Sequence, residues 1–200
     1  MPYRNVVKND LPETYYHIYA RGHYKNDIFR DDEDYRVFLN MTKRCFYPKN
    51  DSDKYNRSCV NLTGAIELNA YCLMPNHFHL LCFQIEPTAM ATLMRSVLTS
   101  YSRYFNKKYG LSGALFETTY KASIISDGTY LVHISRYIHI NPRKWRSYEY
   151  SSLPYYIDRN PPEWLRPDKI MDLFSGPNEY LKFIADYETQ KIALNEIKSS

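Results

Sequence analysis

The sequence lacks the features that mark several protein classes. Its four cysteines form no CxxC pair and no spacing typical of a zinc ribbon, which favours reduced thiols in a reducing compartment over a disulfide framework. No stretch approaches about 18 consecutive apolar residues, and the N-terminus has no apolar segment typical of a secretion signal. There is also no internal repeat and no low-complexity tract. We therefore expect a cytoplasmic protein that has no membrane partner.

A strong charge of either sign is missing as well. The formal net charge is +4, which permits a nucleic-acid partner without requiring one. What the sequence has in excess is tyrosine, with 21 in 200 residues. Tyrosine rings can stack on nucleic-acid bases, but they serve equally well in a protein core, so their number supports nucleic-acid binding only weakly.

Hydrophobic periodicity indicates one domain with an appended segment. In chain order the predicted elements are a strand at 15–22, a helix at 31–45, strands at 66–74 and 77–83, a helix at 87–109 and a strand within 115–126. This order predicts a ferredoxin-like βαββαβ core of the α+β class, with both helices on one face of the sheet and the other face available for a site. The polar segment 47–63 is predicted to be a flexible surface loop.

A third helix follows the core. It is predicted to begin after the capping pair Ser126-Asp127 and to end at Asn141-Pro142, because the residue before a proline disfavours the α conformation. Beyond it the chain changes to segments that contain tyrosine, serine and proline, with a short helical pattern at 167–174 and a last helix from 178 to about 192. We therefore predict a core domain at 1–146 and a C-terminal extension at 147–200 that packs on it.

Two histidines, His77 and His79, flank Phe78 in the third predicted strand. Strand residues two positions apart share a face, with Cα atoms about 6 to 7 Å apart, so both imidazoles can ligate one metal ion while Phe78 faces the core. The same spacing fits two hydrogen-bonded side chains on an exposed sheet face equally well. A catalytic metal usually takes three protein ligands, so a third ligand has to come from elsewhere in the chain.

Tyr137 and Asn141 are candidates to complete such a site. They are four residues apart on the third predicted helix and therefore share a face of it. If this helix lies on the open sheet face, it brings a hydroxyl and an amide oxygen to the two histidines. Two imidazoles and an amide oxygen suit Mg²⁺ or Mn²⁺, and Tyr137 would then be the nucleophile. Taken by its position on the apolar stripe alone, Tyr137 is more typical of a core residue.

These motifs resemble those of a known enzyme group. The run Met74-Pro-Asn-His-Phe-His79 resembles the histidine-hydrophobe-histidine signature of HUH endonucleases. The run Arg136-Tyr-Ile-His-Ile-Asn-Pro142 resembles the catalytic-tyrosine helix of single-tyrosine transposases, and 15–30 resembles their opening strand and turn. Together with the long C-terminal extension, the chain is most similar to REP-associated tyrosine transposases.

The resemblance implies a fold, a reaction and a substrate. It implies an HUH endonuclease fold with a divalent metal, Mg²⁺ or Mn²⁺, held by His77 and His79, and Asn141 takes the position of the third ligand, where many relatives carry Gln. It implies that Tyr137 cuts single-stranded DNA beside a short hairpin, forming a 5′-phosphotyrosine and freeing a 3′-hydroxyl, with no nucleotide cofactor. Shorter relatives act as dimers that exchange the tyrosine helix, whereas the extension here favours a monomer.

Basic and aromatic side chains near these motifs are candidates for DNA contact, because cations bind phosphates and aromatic rings stack on bases. The basic candidates are Arg21, Lys25, Lys121, Arg136, Arg143, Lys144 and Arg146, and the stacking candidates are Tyr120 and Trp145. Each basic residue taken alone is more typical of a solvated surface charge.

Two other functions fit the same residues. A ferredoxin-like domain with an aromatic sheet can bind single-stranded nucleic acid without cutting it. A metal-dependent phosphoesterase could use His77 and His79 to activate water, although the sequence has no carboxylate cluster near the two histidines. Neither alternative would form a covalent bond between the protein and DNA.

Overall fold

A four-stranded antiparallel sheet forms the centre of the molecule. The computed structural model describes residues 10–47 and 60–187. The strands are β1 (Thr14–Arg21), β2 (Ile66–Met74), β3 (His77–Gln84) and β4 (Lys121–Ile125), and their order in the sheet is β2-β3-β1-β4. With its two long helices on one face, this is the predicted ferredoxin-like arrangement, and the α+β class is confirmed.

Helices α1 (Asp32–Lys43) and α2 (Ala89–Tyr109) cover one face of the sheet. Asp31 caps α1, because its carboxylate accepts the backbone N–H of Asp34. The buried residues of α1 and α2 pack on the alternate strand residues that point to this face, among them Ile18 and Phe78. This cluster is the larger of the two hydrophobic cores, and it fixes which strand residues face away from it.

Helix α3 (Gly128–His139) lies against the opposite face of the sheet. Asp127 caps it by accepting the backbone N–H of Tyr130 at 2.7 Å. Its buried residues Leu131, Ile134 and Ile138 form a second core with Leu81 of β3. The remaining residues of β1 and β3 on this face therefore lie beside the C-terminal half of α3.

The C-terminal extension lines the outer edge of β2. The backbone N–H of Leu73 donates to the carbonyl of Tyr150, and that of Ser152 donates to the carbonyl of Tyr71, each at 2.9 Å. These bonds satisfy strand groups that an open sheet edge would leave unpaired. Among the described residues, the extension contains α4 (Pro154–Ile157), α5 (Asp168–Met171) and α6 at 177–187.

Several predicted boundaries shift in the structure. The fourth strand lies within its predicted span, 115–126, whereas α3 ends at His139, two residues before the predicted end at Asn141. Helix α2 begins at Ala89 rather than Pro87, since Thr88 adopts a left-handed backbone with φ 66° and its N–H is bound by Asp10. Most of the predicted loop at 47–63, and the last helix beyond 187, lie outside the described residues. In the described parts of the chain, no helix is both long and apolar enough to cross a membrane.

Candidate active site

His77 and His79 lie on the sheet face that α3 only partly covers. Their ring centroids are 5.0 Å apart, and Phe78 between them is fully buried in the opposite core. The pairing of β3 with β1 places Tyr19 opposite His79, and His17 lies on the same face two residues earlier. The predicted common orientation of the two imidazoles is therefore present, and the neighbouring strand adds a third imidazole to the group.

Tyr137 lies over this group of rings. Its ring centroid is 5.4 Å from that of His79 and 5.8 Å from that of His17, and it meets both rings edge-on. The side chain is 42% exposed, whereas Ile134 and Ile138 on the same helix are buried. The interpretation of Tyr137 as an ordinary core residue is therefore wrong. Its exposure leaves the hydroxyl-bearing ring accessible beside the histidines.

Asn141 lies two residues beyond the end of α3, next to His77. Its Oδ1 atom is 3.1 Å from Nε2 of His77. The other ring nitrogen of His77, Nδ1, is 2.6 Å from Oδ1 of Asn76, and the Asn76 amide is oriented by donating Nδ2–H to the carbonyl of Lys25. A neutral His77 can donate to only one of these two Oδ1 atoms, and the shorter contact favours Nδ1 as the donor, which leaves a lone pair on Nε2.

The geometry around His77 fits a shared cation. The lone pair of Nε2 and the Oδ1 oxygen of Asn141 are both acceptors, and they converge at 3.1 Å. A divalent ion is the kind of group that two such acceptors can ligate together. In the part of the chain that the structure describes, no three His, Cys, Asp or Glu side chains are grouped to hold a metal, so a site here depends on the amide oxygen. Two neutral imidazoles and an amide oxygen form a neutral donor set that is compatible with Mg²⁺ or Mn²⁺.

Burial keeps the histidines of the site neutral. It lowers the pKa of His79 well below its usual range, with further lowering by His17, His77 and the charge of Arg21. Burial also lowers the pKa of His77, and it lowers that of His17 to about 4. Because only a neutral imidazole can ligate a metal, these shifts keep His77 and His79 competent as ligands at neutral pH.

Some predicted DNA-contact residues lie beside this site. Arg21 is exposed and pairs in register with His77. Lys121 is exposed on β4, with its Nζ atom 6.0 Å from the ring of Tyr19. The other basic candidates with exposed side chains are Lys25, Arg143, Lys144 and Arg146. Arg21 and Lys121 therefore place positive charge at the rim of the group formed by the histidines and Tyr137.

Three predicted DNA contacts are corrected by the structure. Tyr120 and Trp145 are only 7% and 3% exposed, because Tyr120 packs in the first core and Trp145 in the second. Neither ring can stack on a base. The guanidinium of Arg136 lies 4.2 Å from the ring centroid of Phe183 and donates to that residue's carbonyl, so it faces the extension rather than a DNA path.

His17 and Tyr19 are site residues that the sequence motifs do not predict. Both lie in the first strand, which the sequence identifies by its aromatic and β-branched residues. The available signal was a histidine at a strand position whose neighbours Tyr16 and Ile18 face the core, because alternation places His17 on the opposite face. Alternation predicts the face of the strand on which His17 lies, but it does not predict that His79 is its neighbour.

A known protein family matches the part of the chain that contains these residues. The profile of the family described as "Transposase IS200 like" matches residues 11–141, a span that contains His77, His79, Tyr137 and Asn141. No curated protein matches the chain. The chain is similar to a solved structure of a REP-associated tyrosine transposase bound to a REP hairpin, with 16% identity, a TM-score of 0.55, and coverage of 88% of this chain and 96% of that one.

A second solved structure, a putative transposase from Deinococcus radiodurans R1, aligns with 69% of this chain and 95% of its own. Its identity is 16% and its TM-score 0.39. The likeness to the REP-associated transposase supports the fold, whereas the family profile covers well over half of the chain. The chain therefore belongs to the IS200-like transposase family, and its function is that of a transposase.

Proposed function

We propose that this transposase cleaves and rejoins single-stranded DNA through a covalent bond between Tyr137 and a 5′-phosphate. The observation that carries the proposal is the position of Tyr137, whose exposed ring lies 5.4 Å from that of His79 in the same chain. A divalent metal, Mg²⁺ or Mn²⁺, would be held by His77, His79 and Asn141. When bound, such an ion supplies positive charge that stabilises the phosphate oxygens during transfer.

The proposed step exchanges one phosphate ester for another. The hydroxyl oxygen of Tyr137 attacks phosphorus, a bond forms between that oxygen and phosphorus, and the bond from phosphorus to the 3′ oxygen of the preceding nucleotide breaks. The 3′ oxygen leaves as a hydroxyl and takes up a proton, and the tyrosine hydroxyl gives one up. Because the new ester is close in energy to the old one, a 3′-hydroxyl can reverse the step and join strands without a nucleotide cofactor.

Residues around Tyr137 would position the strand. Arg21 and Lys121 place positive charge at the rim of the site, where they can contact phosphates on either side of the cleaved bond. The buried side of α3 fixes the helix on the sheet, so the direction in which Tyr137 projects is set before DNA binds.

The proposed substrate is single-stranded DNA next to a hairpin. Support comes from the similar solved transposase, which is bound to a REP hairpin and shares the fold over 88% of this chain. We also propose that the protein works as a monomer. Tyr137 lies over the histidines of its own chain, so the site needs no tyrosine helix from a second copy.

The test uses a labelled hairpin oligonucleotide with a single-stranded flank, incubated with the full chain and Mn²⁺ and then separated on a denaturing gel. We expect a protein–DNA adduct from the wild type and none from Tyr137→Phe. Tyr130→Phe is the matched control, because Tyr130 lies two turns earlier on α3 and losing its hydroxyl should leave the adduct intact. An adduct that persists in Tyr137→Phe would contradict the proposal, and binding without any adduct would favour the non-cutting nucleic-acid module.

A further inference from the structure

His17 and His79 are joined by a hydrogen bond between their rings. Nε2 of His17 lies 2.9 Å from Nδ1 of His79, and the two rings stack with centroids 5.0 Å apart. Both side chains are buried, and the ring of Tyr19 packs 5.2 Å from that of His17 and 5.8 Å from that of His79. The pairing of β1 with β3 and the packing of these rings therefore hold the two imidazoles in one arrangement.

Two ring nitrogens 2.9 Å apart share a single hydrogen, and an imidazole that ligates a metal is neutral and carries one hydrogen of its own. If His17 donates it, His79 must carry its own hydrogen on Nε2, which then has no lone pair for a metal. If His79 donates it from Nδ1, its Nε2 atom keeps the lone pair. Since Nδ1 of His79 is occupied by His17 in either case, Nε2 is the only ring nitrogen of His79 available as a ligand.

His77 shows the same division of roles between its two nitrogens. Its Nδ1 atom donates to Oδ1 of Asn76 at 2.6 Å, and its Nε2 atom faces Asn141. In each histidine, another side chain of the protein binds Nδ1, and Nε2 remains available to the metal site. A metal-ligating histidine commonly donates its second N–H to such a partner, which fixes the tautomer and the ring orientation.

We propose that His17 is a positioning residue that accepts the Nδ1 hydrogen of His79 and thereby keeps Nε2 of His79 free to ligate the metal. This inference rests on the metal site of the proposed function. Loss of such a partner commonly weakens metal affinity by roughly 10- to 100-fold. His17 itself needs no contact with the metal or the DNA for this role.

The first test measures Mn²⁺ affinity of the DNA-free full chain by calorimetry, in three variants. His17→Phe keeps a ring but removes the acceptor, and we expect its affinity to fall roughly 10- to 100-fold. His17→Gln retains an acceptor oxygen on a side chain of similar reach, and it should recover most of the lost affinity. Tyr15→Phe, which lies on the same face at the other end of β1, should bind Mn²⁺ like the wild type. Thermal unfolding without metal checks that each variant is folded.

The second test reads the tautomer directly, by NMR correlation of the ring nitrogens and carbon-bound hydrogens of His79 in the metal-free protein. We expect the hydrogen on Nδ1 in the wild type and in His17→Gln. A hydrogen on Nε2 in the wild type, or wild-type Mn²⁺ affinity in a folded His17→Phe, would overturn the inference. The metal site fails if the wild type binds no Mn²⁺, or if His77→Ala leaves the Mn²⁺ binding unchanged. This inference then fails with it.

Discussion

Nδ1 of His139 lies 2.7 Å from the hydroxyl of Tyr180, and this contact joins the tyrosine-bearing helix α3 to helix α6 of the extension. Nε2 of His139 is 2.8 Å from the hydroxyl of Ser152, and the hydroxyl of Tyr180 donates to Ser135 at 3.1 Å. All of these side chains are buried. The chain of bonds satisfies both ring nitrogens of His139 and ties α3, which carries Tyr137, to the C-terminal extension.

We expect Tyr180→Phe to destabilise the protein by about 1 to 3 kcal/mol, because it leaves the buried Nδ1–H of His139 without an acceptor. The measurement is the free energy of unfolding from urea titration at neutral pH. Tyr24→Phe is the control, since Tyr24 is 82% exposed and losing its hydroxyl should change stability by less than about 0.5 kcal/mol. Equal stability of Tyr180→Phe and wild type would contradict a structural role for this bond.

Stability should also fall as the pH drops below about 6.5, the usual pKa of an unfolded histidine. Burial lowers the folded-state pKa of His139 to about 3, so the unfolded chain binds a proton that the folded chain does not. The favourable contribution is fully present above pH 6.5 and is lost as the pH falls toward the folded pKa. The loss from His139 amounts to about 2 kcal/mol between pH 6.5 and pH 5.

His139→Gln isolates this effect, because the amide side chain can hydrogen-bond but does not titrate. The variant should start less stable at pH 7 and lose less stability between pH 7 and pH 5 than the wild type does. Urea titrations at the two pH values give the comparison. An unchanged pH dependence in the variant would show that other groups cause the acid loss, among them His17, whose pKa burial lowers to about 4.

Asn141 can be tested as a ligand through substitutions of its amide. Asn141→Ala removes the oxygen that lies 3.1 Å from Nε2 of His77, and we expect Mn²⁺ affinity to fall at least about tenfold. Asn141→Asp should bind Mn²⁺ more tightly than the wild type, because it replaces a neutral oxygen with a carboxylate. Calorimetry on the DNA-free protein measures both. Wild-type affinity in Asn141→Ala would exclude the amide from the metal site.

Lys121 and Arg136 provide a matched test of which cations contact DNA. Lys121 is exposed beside the site, whereas the guanidinium of Arg136 is held over Phe183 and Tyr187 of α6. We expect Lys121→Ala to weaken single-stranded DNA binding and to reduce the slope of log affinity against log salt by about 1. Arg136→Ala should leave that slope unchanged and instead lower the stability of the protein. An unchanged salt slope in Lys121→Ala together with a reduced slope in Arg136→Ala would contradict the placement of Lys121, and not Arg136, on the DNA path.

The sequence predicts the parts of the site that depend on local periodicity. Alternation in the third strand puts His77 and His79 on one face, and the four-residue spacing places Tyr137 and Asn141 at the same end of α3, although Asn141 lies two residues beyond its last residue, His139. The element order is likewise enough to predict the ferredoxin-like core. Each of these inferences needs only the geometry of a single strand or helix, or the order of such elements along the chain.

The remaining features depend on contacts between distant segments. The bond between His17 and His79 spans 62 positions and requires the register of β1 against β3, which no local pattern supplies. Trp145 follows a helix and precedes a polar stretch, so it resembles a surface residue, but it is buried in the second core, which includes Leu153 and Tyr180 of the extension. The position of the Arg136 side chain depends on distant segments as well, since its aromatic partners lie about 50 residues further along the chain.

The most direct test of the central claim is mass spectrometry of the protein–DNA adduct after digestion with trypsin and nuclease. We predict that the peptide Tyr137–Arg143 carries a nucleotide bound through its 5′-phosphate to Tyr137, and that the released DNA fragment ends in a 3′-hydroxyl. A modified residue other than Tyr137, or cleavage to free 5′-phosphate with no modified peptide, would contradict the account.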